Sequence, residues 1–248
     1  MCLILLAYKA HPNFPLIVAA NRDEFHERST RSAAFWPEYP KLLAGKDLKG
    51  HGTWLGITCT GRFAALTNFR DMRRATVQGP SRGLLVRDVL LDHRAMEGTT
   101  AMEGFNLVYG PIDALRYHSN VKSTDDALAV GFHGISNHFL DTPWPKVVNA
   151  GDRFEQALKG AQPDPEDLFK LLKDRTRASD HELPETGLGL KWERVLSPAF
   201  IHSENYGTRC STVLMVDNFG QVFFEERTYA PDPLPPVQFK FQMELQST

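Results

Sequence analysis

The sequence is poor in cysteine and has no long apolar run. Its three cysteines stand far apart, at Cys2, Cys59 and Cys210, so their spacing indicates neither a disulfide framework nor a cysteine-rich metal site. A reducing, cytoplasmic setting is the default expectation for such a chain. The opening apolar run, CLILLA, is far shorter than the roughly 20 residues that cross a bilayer, and no basic residue precedes it. We therefore expect neither a signal peptide nor a membrane span.

The sequence also lacks an excess of charge of one sign. Lysine and arginine total 28, aspartate and glutamate total 30, and the formal net charge is −2. This balance predicts no nucleic-acid partner, because such proteins usually carry a basic surplus. The 248 residues, 42% of them apolar, are enough to bury one substantial core. We predict a single domain over residues 1–248.

Several common catalytic motifs are absent. The sequence contains no GxSxG, no GxGxxG after an apolar strand, no P-loop and no HExxH. These absences argue against serine esterases, nucleotide-binding proteins and zinc proteases. Asp23, Glu24 and His26 are metal-ligand residue types, but three such residues without wider support are a weak signal. We expect no metal and no cofactor.

Short apolar runs separated by turn residues predict an α+β protein. Strand patterns cover residues 2–8, 15–20, 53–58, 62–67, 105–109, 114–118, 211–217 and 221–226. Helical spacing covers residues 84–95, 145–159 and 165–174. Residues 175–208 have an irregular pattern, and residues 230–236 form a proline-rich connection. Hairpins at both ends with helices between them favour sheets packed against helix layers.

Cys2 is the first residue whose chemistry stands out. If Met1 is removed, Cys2 carries a free α-amine beside its thiol, and an α-amine with a pKa of about 7.7–8.0 is partly neutral at physiological pH. The amine then takes the thiol proton, and the cysteine becomes a nucleophile with its own base. The alternative is that Cys2 is a small buried hydrophobe early in a strand, which is the more common situation for a cysteine.

Four polar residues follow the second predicted strand in the run NRDEF at 21–25. An asparagine amide stabilises a developing oxyanion, an arginine lowers a thiol pKa, and an aspartate holds an ammonium group. The alternative is a surface turn, since asparagine and aspartate favour turns and Arg–Glu pairs are common surface contacts. The spacing alone favours neither interpretation.

Three further polar residues stand at predicted strand edges. Asn68 ends the run AALTN, Asn137 ends GISN, and Arg209 precedes an apolar strand in YGTRCST. Two tryptophans lie in comparable loops, with Trp54 in GTWLG and Trp144 in LDTPWPK. Taken singly, each of these residues is more typical of a turn than of a functional site.

As an ordered set, these stretches resemble one family. The sequence resembles the NRDE family from residue 1 to about residue 228, through MCLILLAY, LIVAANRDEF, HGTWLG, AALTNF, SRGLL, GFNLVYG, GISNHFLDTPWPK and YGTRCSTVLMVD. The resemblance implies a four-layer αββα sandwich of the N-terminal nucleophile hydrolase type. It also implies a distant similarity to the choloylglycine hydrolase and acylase branch, in which the nucleophile is a cysteine exposed by methionine removal.

The same resemblance implies roles for residues around Cys2. Arg22 and Asp23 would hold the thiol and the α-amine, and Arg209 would support the nucleophile electrostatically. Asn68 and Asn137 would line the oxyanion or the substrate amide. That branch usually reads Arg-Asn-x-Asp where this chain reads Asn-Arg-Asp-Glu, so the separate roles within the tetrad stay open. The predicted catalytic residues are Cys2, Arg22, Asp23, Asn137 and Arg209, and the predicted substrate-binding residues are Asn21, Asn68, Trp54 and Trp144.

Two functions from different classes are compatible with the sequence. The first is a cysteine hydrolase that cleaves a small amide or acyl thioester, with Cys2 as the nucleophile. The second is a non-catalytic binding or trafficking protein on the same scaffold, for haem or an acyl-CoA-type lipid. The enzyme requires removal of Met1 and a reactive Cys2 thiol, whereas the carrier requires neither.

Overall fold

A computed structural model describes residues 2–92 and 98–244 of the chain. Its strands are β1 (Cys2–Tyr8), β2 (Leu16–Phe25), β3 (Thr30–Trp36), β4 (Tyr39–Asp47), β5 (Leu55–Thr58), β6 (Arg62–Asn68), β7 (Phe105–Pro111), β8 (Arg116–Ser119), β9 (Thr124–Ala127), β10 (Gly131–Ile135), β11 (Tyr206–Val216), β12 (Gln221–Thr228) and β13 (Val237–Gln242). Its α-helices are α1 (Arg82–Leu90), α2 (Pro145–Ala157), α3 (Pro165–Leu172) and α4 (Leu190–Leu196).

The strands form two antiparallel sheets that pack face to face. The first sheet has the order β10-β1-β2-β11-β12-β13, and the second runs in chain order from β3 to β9. Between them lies a core to which the first sheet contributes Ile4 and Leu6, and the second contributes Leu43, Phe63 and Val108. Burial of these side chains between two sheets is what holds the layers together.

Helices cover the outer face of each sheet. Leu3 and Leu5 point away from the neighbouring sheet and pack with Val147 of α2 and Leu168 of α3. Because β1 alternates between two covered faces, almost all of CLILLAY is buried, which explains its unbroken apolar sequence. On the second sheet, α1 packs through Leu85, Val86, Val89 and Leu90. The layer order is therefore α, β, β, α, as predicted.

The NRDEF run does not form a turn after the second strand. It forms the second half of β2, which continues to Phe25. Asn21 and Arg22 are paired on both sides, with β1 and with β11, whereas residues 23–25 are paired with β11 alone. The side chains of Asn21, Arg22 and Asp23 are buried in the sheet, where each one needs a specific partner, and Glu24 is half-buried.

Other predicted boundaries also differ from the structure. Strands β3, β4, β9, β10 and β13 and helix α4 were not predicted from the sequence. Strand β11 begins at Tyr206, inside the segment predicted to be irregular, and α1 covers 82–90 where the spacing predicted 84–95. Residues 93–95 of that prediction lie outside the described residues. Within the described residues, no helix has the length and apolar character required to cross a bilayer.

Candidate active site

Cys2 is the first residue of β1 and lies at the edge shared by the two sheets. Its backbone carbonyl accepts a hydrogen bond from Ser136 Oγ at 3.1 Å. The residue is half-buried, and the alternation of β1 places its side chain on the same side as Ile4, towards the space between the sheets. There it lines a cavity of about 280 Å³. Both sheets and the start of α1 contribute to the wall of that cavity.

The cavity contains five of the nine residues predicted from the sequence. They are Cys2, Arg22, Asp23, Trp54 and Asn68. The remaining wall is formed by Glu24, Arg28, Asp47, Thr53, Leu66, Gly79, Pro80, Ser81, Arg82, Gly83 and Glu103. Cys2, Arg22 and Asp23 come from the first sheet, whereas Asn68 comes from the second, so the site forms only when the sheets are packed together.

Arg22 is fixed by a tryptophan and a carboxylate. Its guanidinium lies 4.3 Å from the centre of the Trp54 ring, and its Nη2 lies 3.5 Å from Asp47 Oδ2. Arg28 Nε binds the same oxygen at 2.6 Å. Burial works against ionisation of Asp47, but the hydrogen bonds from Arg28 and from the Gly50 amide outweigh it, so the pKa of the Asp47 carboxyl is lowered. Arg22, Arg28 and Asp47 therefore form a group of paired charges in the wall of the cavity that Cys2 lines.

Asp23 is held on the other face of β2. It is 1% exposed, and its Oδ1 accepts a hydrogen bond from Thr208 Oγ1 at 2.7 Å. Burial raises the pKa of the Asp23 carboxyl, and the positive charge of Lys146 is the strongest influence in the opposite direction. Burial likewise raises the pKa of the Cys2 thiol, a shift that the charge of Arg22 opposes. The thiol therefore needs a base before it can act as a nucleophile at neutral pH.

Two of the three predicted asparagines, Asn68 and Asn137, are joined by a hydrogen bond. Asn137 is fully buried, and its Nδ2 donates to the backbone carbonyl of Asn68 at 2.9 Å. Its own backbone carbonyl accepts from the Arg70 amide at 2.7 Å. Asn68 is half-buried at the end of β6 and lines the cavity, while Asn137 lies behind it. Asn137 therefore positions the segment that carries Asn68.

The other three predicted residues have contacts elsewhere. Asn21 Nδ2 donates to the carbonyls of Leu172 at 2.8 Å and Ala199 at 2.7 Å, which attaches the helix layer to β2. Arg209 lies at a bulge in β11, and its Nη1 donates to Phe25 O at 2.9 Å. Trp144 immediately precedes α2 and lies 4.6 Å below the guanidinium of Arg70.

Two cationic residues of this region were not singled out in the sequence. Arg82, in the SRGLL run, lines the cavity, and its Nη1 donates to Gly104 O at 3.0 Å. Lys146 is 4% exposed in the first turn of α2, and burial lowers its pKa to about 8. A signal for Lys146 was present: a lysine in a helix's first turn faces the positive end of the helix dipole, which is unfavourable.

Comparison with known proteins decides the family. A family model described as Transport and Golgi organisation 2 matches residues 1–231. The chain belongs to the Transport and Golgi organisation 2 family. A Homo sapiens relative, Transport and Golgi organization protein 2 homolog, is 33% identical over 278 residues, and the match covers 100% of both chains. Transport and Golgi organization protein 2 of Drosophila melanogaster is 28% identical, with 92% of each chain covered. The resemblance inferred from the NRDE motifs is thus confirmed.

Solved structures identify the fold of this Transport and Golgi organisation 2 family member. A mutant conjugated bile acid hydrolase from Clostridium perfringens matches 100% of this chain and 99% of that chain, with a TM-score of 0.50 and 10% identity. At that identity the similarity concerns the fold alone. The predicted αββα sandwich of the N-terminal nucleophile hydrolase type is confirmed.

Proposed function

We propose that this protein is a cysteine N-terminal nucleophile hydrolase that cleaves a small amide or an acyl thioester. The observation that carries the proposal is the position of Cys2, whose thiol lines a cavity together with Arg22, Asp23 and Asn68. After removal of Met1, the α-amine of Cys2 takes the thiol proton, and the thiolate attacks the substrate carbonyl. The carbonyl oxygen then becomes an oxyanion that requires hydrogen-bond donors.

The cavity wall supplies donors suited to that oxyanion. The Asn68 side-chain amide is one, at the end of β6. Arg22 also lines the cavity, and its guanidinium charge beside Cys2 would stabilise a developing oxyanion. The scaffold is also the one on which the conjugated bile acid hydrolase is built, and it supports amide hydrolysis here by analogy of fold.

One observation favours the alternative of a non-catalytic carrier for haem or an acyl-CoA-type lipid. Burial raises the pKa of the Cys2 thiol, so without a nearby base the thiol stays protonated and unreactive at neutral pH. The two functions can therefore be distinguished by whether Met1 is removed and whether the Cys2 thiol is reactive. The identity of the ligand and the cytoplasmic setting both remain predictions.

The test is the intact mass of the purified protein before and after brief treatment with iodoacetamide. We expect loss of the Met1 mass and rapid alkylation of Cys2, with slower modification of half-buried Cys59 and of Cys210, which lies in the core. The Cys59→Ser variant is the matched control, because it removes the other half-buried thiol and should leave the fast reaction intact. Retained Met1, or a Cys2 no faster than Cys59, would refute the hydrolase and lead to binding assays with haem and an acyl-CoA.

A further inference from the structure

A cluster of buried charged side chains lies beneath Cys2, on the side of the first sheet that faces the helices. Lys146 is 4% exposed, and its Nζ makes no hydrogen bond to any described residue. The charged or titratable groups around it are Cys2 of β1, Asp23 of β2, Arg70 after β6 and Glu193 of α4. Tyr206 of β11 lies beside Asp23, Cys2 and Arg70, and it stays neutral because burial raises its pKa well above 10. Lys146 is thus a buried amine surrounded by ionisable groups and not anchored by a described acceptor.

One pair within this cluster is already neutral. Arg70 Nη2 binds Glu193 Oε2 at 2.8 Å, and Thr186 Oγ1 donates to the other oxygen of the same carboxylate. Both partners are nearly inaccessible, so their charges cancel without help from solvent. Neither Arg70 nor Glu193 therefore leaves a net charge for Lys146 to balance.

Asp23 is the carboxylate whose negative charge can balance the positive charge of Lys146. Burial is the main influence on both pKa values, lowering that of Lys146 and raising that of Asp23. Among the charged neighbours, each of the two residues is the largest influence on the other. Each charge is costly alone in this buried setting and stabilises the other.

The strand register places Asp23 towards the α-amine of a mature Cys2. Strands β1 and β2 are antiparallel, and Cys2 aligns with Arg22. The step from Arg22 to Asp23 therefore runs in the direction of the backbone nitrogen of Cys2. Once Met1 is removed, that nitrogen becomes a second amine competing with Lys146 for the single Asp23 carboxylate.

Two ammonium groups beside one buried carboxylate repel each other, so the site favours protonation of only one. We propose that Lys146 is a positioning residue whose ammonium group neutralises Asp23 and so keeps the α-amine of Cys2 in its neutral form. The inference rests on the proposed function, because it concerns the base that activates the nucleophile. In the activation step the thiol proton passes to the α-amine nitrogen, which leaves a thiolate and an α-ammonium and needs no further reactant.

The test is the pH dependence of Cys2 alkylation by iodoacetamide in the full chain. Lys146→Met removes the cation, so the α-amine becomes more basic and holds its proton at neutral pH. We expect the midpoint of the rate profile to move up by about one pH unit, which is about a tenfold slower reaction on the rising limb. Lys146→Arg keeps a cation and should keep the wild-type midpoint. Lys159→Met, which removes an exposed lysine just after the same helix, should leave the profile unchanged.

The possible outcomes are separable. A wild-type Cys2 that retains Met1 or reacts no faster than Cys59 refutes the proposed function, and the role of Lys146 with it. A reactive wild-type Cys2 whose midpoint is the same in folded Lys146→Met refutes the role of Lys146 alone. If Lys146→Met does not fold, Lys146→Gln replaces it. If neither neutral variant folds, Lys146→Arg decides, and a midpoint raised in that variant contradicts the proposal.

Discussion

At the scale of single residues, the NRDE tetrad serves two different environments. Successive side chains of a strand point to opposite faces. Arg22 and Glu24 line the cavity wall, where both contact the ionic group around Asp47 and Arg28. Asn21, on the opposite face, binds carbonyls of the helix layer. A mutation at Asn21 should therefore act through the packing of the helix layer, whereas a mutation at Arg22 should act on the cavity.

Glu226 supports a prediction about pH and stability. This carboxyl is 2% exposed, and burial raises its pKa from 4.5 to about 7. Between these values the folded protein keeps a proton that the unfolded chain has released, so the free energy of unfolding falls as pH rises. The loss amounts to about 3 kcal/mol over this window. Below about pH 4.5 the protonated Glu226 contributes its full stabilisation, and above about pH 7 that contribution to the free energy of unfolding has been lost.

The matched variant for this prediction is Glu226→Gln, which keeps an oxygen for the Ala33 amide that now donates to Glu226 Oε1 at 2.8 Å. We expect urea unfolding to give a smaller decrease in stability between about pH 5 and pH 8 for the variant than for the wild type, by about 3 kcal/mol. Equal decreases in both proteins would mean that Glu226 does not titrate in this window.

At the scale of elements, the start of α1 depends on a close approach of two backbones. A Cβ added to Gly52 would lie 2.0 Å from the carbonyl carbon of Gly83, and the Thr53 amide donates to Gly83 O at 3.0 Å. Because Ser81, Arg82 and Gly83 line the cavity, this contact also fixes one wall of the site. Only a residue without a side chain fits at position 52 while α1 keeps its place.

Two glycine substitutions should change the free energy of unfolding in opposite directions, and the first of them tests the close contact between Gly52 and Gly83. Gly52→Ala should destabilise the protein by about 2 kcal/mol, since the clash is with backbone that cannot rotate away. Gly151→Ala is the control, because Gly151 lies inside α2 and an added Cβ there meets nothing within 4 Å. Alanine should stabilise that helix by about 0.5–1 kcal/mol. Urea unfolding of the two variants checks both values, and a neutral Gly52→Ala would contradict the described contact.

The sequence predicted the strands whose apolar runs are continuous and missed those defined by tertiary contacts. CLILLAY and STVLMVD are recognisable because both faces of β1 and β11 are buried. TDDA in β9 has no such pattern, because it is an edge strand with exposed side chains paired only to β8. VQFKFQ in β13 does alternate, with Phe239 and Phe241 packed against the core. It was not predicted as a strand because it directly follows the proline-rich residues 230–236.

The site was predicted to a different degree. The residues at positions 2, 22, 23, 54 and 68 were predicted from the sequence, and the structure brings them to one cavity, but the catalytic roles of the first three and the substrate-binding roles of the last two stay predictions. Lys146 was not recognised because its partner Asp23 is more than a hundred residues away in the sequence. The packing of α2 on the first sheet brings Lys146 close to Asp23, and the spacing of residues within a short motif cannot predict such a contact.

At the scale of the whole molecule, the cavity and the core belong to both sheets. The inter-sheet core joins residues from β1 and β2 to residues from β4, β6 and β7, and the cavity opens at its edge. The proposed hydrolase activity therefore requires the intact sandwich together with a Cys2 that has lost Met1. Neither sheet alone presents both Cys2 and Asn68.

Whether Cys2 is the nucleophile is tested most directly by a search for an acyl-enzyme by intact mass. The protein is incubated with small amides and acyl thioesters, beside the Cys2→Ala variant. We expect a transient mass increase equal to the acyl group, located on Cys2, together with release of the amine or thiol, and neither with the variant. If no compound acylates Cys2 more readily than Cys59 in protein that has lost Met1, or if the variant releases product at the same rate, Cys2 is not the nucleophile.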